Sequence, residues 1–169
     1  YDTNYSEEKL SELKQAQMEA QVNHDNALKA QADAQIKLDE MTKAFDEAKT
    51  AYDTAQTEYT NAQNDVKAKE EALRQAEVVV AEKEKALAEA SDETAIQEAT
   101  QALEDAKTAY SQAQADVEAA QTVVTEKEAI VTQAKEALEK AQTLIVDNGD
   151  GTTTSYTKAQ LEETLTGLN

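Results

Sequence analysis

Hydrophobic residues recur every seven positions in two separate runs of the chain. The first is Phe45, Tyr52, Tyr59, Val66, Leu73, Val80 and Leu87; the second is Ile96, Leu103, Tyr110, Val117, Val124, Val131, Leu138 and Ile145. A period of seven residues over two turns keeps one stripe of a helix facing a partner helix, so the pattern predicts an all-α coiled coil. With these residues at heptad position a, the first frame extends upstream through Leu10, Gln17, His24, Gln31 and Leu38. Its d positions are Leu13, Met41, Lys69, Lys83 and otherwise Ala. The second run carries Ala at every d position except Lys127, and its g positions Ala95, Ala102, Ala109, Val123, Ile130 and Ala137 broaden the stripe. Helices over about 6–90 and 95–142 follow. At 1.5 Å per residue the first would be roughly 125 Å long.

Between Leu87 and Ile96 the spacing is nine instead of seven, so a continuous helix would carry the second stripe to the opposite side of the first. The chain must therefore turn. Ser91, Asp92 and Thr94 are N-cap types, and Thr94 with Gln97 matches a capping box, which places the turn at 91–94 and makes the two helices an antiparallel coiled-coil hairpin. Large residues on one helix then face Ala on the other: Tyr52 near Ala134, Leu73 near Ala113, Val80 near Ala106. This alternation of size sets the register.

The second helix reaches back only to about residue 44, which leaves 6–41 uncovered. Gln17, His24 and Gln31 weaken the main stripe there, while Met18, Val22 and Ile36 mark a second face, and a helix with two faces touches more than one neighbour. Leu10, Leu13, Met18, Val22, His24 and Ile36 are the candidate partner-contact residues. One candidate cover is the tail, 143–169. Leu144-Ile145-Val146, the turn Asp147-Asn148-Gly149-Asp150-Gly151 and Thr152 to Tyr156 read as a β-hairpin; Thr157 and Gln160 cap a short helix presenting Leu161, Leu165 and Leu168. That helix would lie against Val22 to Ile36, or a second chain would pair there to give a homodimer. The domains expected are thus a hairpin at 1–142 and a small capping unit at 143–169.

Two phrases recur. Ala48-Lys49-Thr50-Ala51-Tyr52 returns as Ala106-Lys107-Thr108-Ala109-Tyr110, and Val79-Val80-Ala81-Glu82-Lys83-Glu84 as Val123-Val124-Thr125-Glu126-Lys127-Glu128. The offsets differ, so duplication of a helical unit and the self-similarity of any heptad array both fit.

Composition agrees with long helices: no Pro, Cys or Trp, three Gly, one Phe, and much Ala, Glu, Gln and Lys. With 35 acidic against 16 basic residues the net charge is -19, which repels phosphate backbones and anionic lipid, so no nucleic-acid partner is expected. No apolar run is long enough for membrane insertion. The chain opens at Tyr1 with neither an initiating Met nor a signal peptide, and we expect a mature or excised fragment. Absence of Cys means that no disulfide staples the fold.

Candidate chemistry is sparse. The oxygen-rich 147–151 turn invites calcium, but with Gly151 as the sixth loop residue the first would be Val146 and the twelfth Thr157, neither a carboxylate. A plain turn is the reading, with no metal and no cofactor. His24, the only histidine, could tune contacts with pH or simply be a polar stripe residue. Lys69, Lys83 and Lys127 interrupt the Ala row either to disfavour wrong registers or as side chains whose stems pack while their ends reach water. No nucleophile with a matching base can be assembled, so no catalytic residue is named and the chain is not expected to be an enzyme. Asn4-Tyr5-Ser6 is a glycosylation triplet of little weight.

The heptads of Ala76-Glu77-Val78-Val79-Val80-Ala81-Glu82-Lys83-Glu84-Lys85-Ala86-Leu87 and of Lys135-Glu136-Ala137-Leu138-Glu139-Lys140-Ala141-Gln142 resemble helical regions of Gram-positive cell-surface proteins. The Asp147 to Thr152 turn is similar to turns of their wall-anchored modules. The resemblance extends to streptococcal M-like proteins, pneumococcal PspA-like proteins and the surface-exclusion proteins of enterococci and lactobacilli. It implies a non-enzymatic, elongated stalk or adhesin segment at the bacterial cell surface, cell-wall anchored through other parts of a parent chain. Such a segment would bind host or neighbouring-cell proteins in cell adhesion and virulence. Two other classes stay open: an intracellular coiled-coil scaffold, and a regulatory coiled coil of a cell-wall hydrolase.

Overall fold

A computed structural model describes the backbone of residues 3–147 and 149–168 and the side chains of 6–144 and 149–167. Among these, the chain runs α1 (Thr3–Glu89), α2 (Glu93–Ala141), β1 (Thr143–Asp147), β2 (Thr153–Thr157) and α3 (Lys158–Leu168). The two long helices pack together, and the strands form a small antiparallel sheet.

An 87-residue α1 is possible because no Pro or Gly interrupts it. Gln and an acid four residues on clasp each other along the helix surface, as in Gln15 to Glu19 (3.2 Å), Gln35 to Asp39 (2.8 Å) and, in α2, Gln112 to Asp116 (2.9 Å). Threonines, poor helix formers, donate back to the carbonyl four residues earlier, as Thr100 does to Ile96 at 2.7 Å.

The turn between α1 and α2 is Ala90–Asp92, and its cap differs from the one expected. The Asp92 carboxylate accepts from the Ala95 amide at 2.7 Å while its carbonyl accepts from Ile96 at 2.9 Å, so Asp92 is the N-cap. Thr94 lies inside the helix, and the Thr94–Gln97 box is not the cap. A carboxylate at the N-cap also complements the positive end of the helix dipole, which favours Asp92 over Thr94. At α3 the expected box forms: Thr157 Oγ1 accepts from the Gln160 amide at 3.2 Å, and Gln160 Oε1 from the Thr157 amide at 2.8 Å.

The chain divides into two compact units, Lys49–Glu136 and Tyr1–Ala48 with Ala137–Asn169. In Lys49–Glu136 the helices run in opposite directions: Lys127 Nζ reaches Glu58 Oε2 at 3.0 Å, and Val80 shares a groove with Tyr110. The buried residues are Ala55, Ala62, Ala106, Val117 and Ala120, every one on the predicted a or d stripe. Small side chains dominate this core because two helices alone can exclude water from the seam only by approaching closely. Lys69, Lys83 and Lys127 are half-buried, and the Lys127 ammonium reaches Glu58 across the seam.

In the other unit Met41 and Leu161 are buried. Lys37, Met41 and Ala44 of α1 lie against Lys140, Ala141, Thr143 and Leu144, where α2 gives way to β1. The sheet pairs Thr143 with Thr157 and Asp147 with Thr153, and Gly149 and Gly151 supply the positive φ values, 82° and 88°, that its turn requires.

Candidate protein-contact surface

Along α1, all seam positions from Gln31 to Ala90 are buried or half-buried, whereas all residues from Ser6 to Ala30 are exposed. The bare stretch holds most of the candidates. Leu10 is 53% exposed, Leu13 58%, Met18 65% and Val22 56%; His24 is exposed, and Ile36, further along, is 56% exposed. They do not form one cluster. Leu10, Leu13 and His24 lie on the heptad seam, while Met18, Val22 and Ile36 lie on the other side of the helix, where Gln15, Glu19 and Asn23 flank Met18 and Val22.

The expected cover of Val22 to Ile36 by α3 is not what the tail does. Lys158 Nζ stands 5.5 Å from the centre of the Phe45 ring, and Leu161 is buried, yet Val22 and Ile36 remain open. The reason is phase. Phe45 and Met41 continue the stripe that α2 has covered up to its end at Ala141, so the tail finds its apolar contact on that stripe and not on the face of Ile36. Leu28, 51% exposed, was not singled out by the pattern because it sits at position e, outside both faces. The expected broadening of the α2 stripe is also only local: Ala95 and Ala102 are half-buried, but Ala109, Val123, Ile130 and Ala137 are exposed, since a pair of helices has no third neighbour for the g row.

Electrostatics on the outer faces are weakly structured. Arg74 forms a two-pronged pair with Glu71, which holds the Glu71 carboxyl below its ordinary range. In the tail, the Asp150 carboxylate accepts from the hydroxyl and the amide of Thr152, and these bonds lower its pKa. That bonding makes Asp150 part of the turn itself. Among the described residues no three His, Asp or Glu side chains are grouped to hold a metal ion, and no helix is long and apolar enough to cross a membrane. Two shallow grooves run along the helix pair, one lined by Gln63, Val66, Lys67, Glu70, Gln121, Val124 and Thr125, the other by Glu77, Val80, Ala81, Glu84 and Tyr110. Both are walled by flexible polar side chains and floored by the seam. Comparison with known proteins finds no matching family model and no matching curated protein.

Proposed function

We propose that the chain is a coiled-coil stalk or adhesin segment, non-enzymatic, displayed at a bacterial cell surface, and that it works by protein–protein contact through its outer helix faces. The observation that carries this reading is how the side chains are spent. In Lys49–Glu136 the buried positions are Ala and Val of the stripe, so the interior holds two helices together and the chemistry-bearing side chains face outward. A surface with this acidic excess selects partners with basic or neutral faces and rejects nucleic acid and anionic lipid. The surface location rests on the resemblance of the heptads to Gram-positive surface proteins.

A charge-reversal scan of exposed positions along 49–89 and 93–136, read by capture of host serum and epithelial proteins and by adhesion of cells displaying the chain, tests the proposal. Loss of capture and adhesion on reversal of one contiguous face supports the adhesin form. Adhesion that responds to shortening of the helix pair but to no face supports the stalk form. Insensitivity to both overturns the proposal.

A further inference from the structure

The covered stripe of α1 does not end where its cover ends. Its heptad continues in phase from Gln31 back through Ala27, His24, Ala20, Gln17, Leu13 and Leu10, all exposed. The bare length therefore has the period and the phase of an interface already formed further along the same helix, and its natural complement is another helix. We propose that the occupant is the same segment of a second copy, paired antiparallel.

Two arguments select this arrangement. Antiparallel helices pair a with d positions, and the register that covers the most bare layers sets Leu10 against Ala27 of the second copy, Leu13 against His24, and Gln17 against Ala20. Leu10 and Gln17 then meet Ala, and Leu13 packs on the His24 ring. A parallel pair instead stacks Gln17 on Gln17 and His24 on His24, and brings Lys9 beside the other copy's Lys14, a like-charge contact on both flanks. Antiparallel pairing also leads the two copies of α1 off in opposite directions, so two chains of net charge -19 do not lie side by side.

The bare segment is about 37 Å long at 1.5 Å per residue. The face is short and carries Ala, Gln and His beside its two Leu, so the pairing is weak in dilute solution. This extends the contact reading above without depending on it, since it needs no host partner.

The whole chain, which has no Cys, is labelled with nitroxide at Lys9→Cys or at Ala30→Cys. At millimolar concentration, a mixture of the two is expected to give an intermolecular distance under about 20 Å, and the Lys9→Cys label alone about 30 Å, from the helical rise. Sedimentation equilibrium follows the variants. Gln17→Leu with His24→Leu strengthens association at least tenfold, Leu13→Lys abolishes it, and Val22→Lys on the other face leaves it unchanged. All substituted side chains are exposed, so folding is preserved. A short distance for Lys9→Cys alone means parallel pairing and overturns the proposal, as does a monomer at millimolar concentration or association lost in Val22→Lys and kept in Leu13→Lys.

Discussion

Alanine at a buried seam position and valine on the rim answer differently to the same added bulk. Ala120 is 5% exposed and Val123 40%. Ala120→Leu forces the helices apart and is expected to cost about 1–3 kcal/mol, whereas Val123→Leu stays within about 0.5 kcal/mol; urea unfolding measures both. Equal effects would mean that Ala120 does not face the other helix. At the turn, Asp92→Ala removes the cap and is expected to cost about 1 kcal/mol, with Thr94→Ala nearly silent. The reverse order in thermal unfolding would return the cap to the Thr94 box. Asp150 gives a pH signature. Its carboxyl is held below the ordinary aspartate range by Thr152, so its contribution to the turn is present above the unfolded value and is lost as pH falls through the folded one. An NMR titration should place its midpoint below that of an ordinary aspartate, and Thr152→Val should move it back up. These residue-scale details were unevenly legible in the sequence. Asp92 and Thr94 both carry cap-forming oxygens two residues apart, and periodicity does not choose between them; the dipole and the helix start do.

At the scale of elements, the helices were legible because their period is written in the chain: the same spacing that predicts the stripe recurs as burial at Ala55, Ala62, Ala106 and Ala120. Docking of the tail was not. Leu161 and Leu165 announce an apolar face but not its destination, and α1 offers two faces to a helix of 11 residues. The structure chooses the end with Phe45, where cover by α2 has just stopped. Leu161→Ala should therefore loosen its own unit, by roughly 2–5 kcal/mol if fully cooperative. Hydrogen exchange is expected to speed up in α3, β2 and α1 from Ala34 to Phe45, and to stay unchanged around Ala106 to Ala120. Faster exchange at Val22 instead would place α3 on the face it was first expected to cover.

For the whole molecule, one sign of charge dominates, and the pairs Lys9–Glu12, Arg74–Glu71 and Lys127–Glu58 all lie open to solvent in part and are worth little. Added salt should therefore raise the thermal midpoint by screening self-repulsion more than it lowers it by weakening Lys127 and Glu58. A falling midpoint would show that specific pairs outweigh the net charge. The bare end of the seam was legible in the sequence, since Gln17 and His24 fall where Leu would be expected; what would bind there has no comparable code, because exposed helix faces are built from the same few polar residues whatever they meet. Everything proposed for the outer faces depends on α1 and α2 holding each other by the stripe. Gln63 and Gln121 line one groove from opposite helices, so nitroxides at Gln63→Cys and Gln121→Cys test that pairing directly by pulsed dipolar spectroscopy. The account predicts a single narrow distance under about 20 Å, two adjoining helix radii plus the label arms; a distance near 87 Å, the rise of one unbroken helix between those positions, would contradict it.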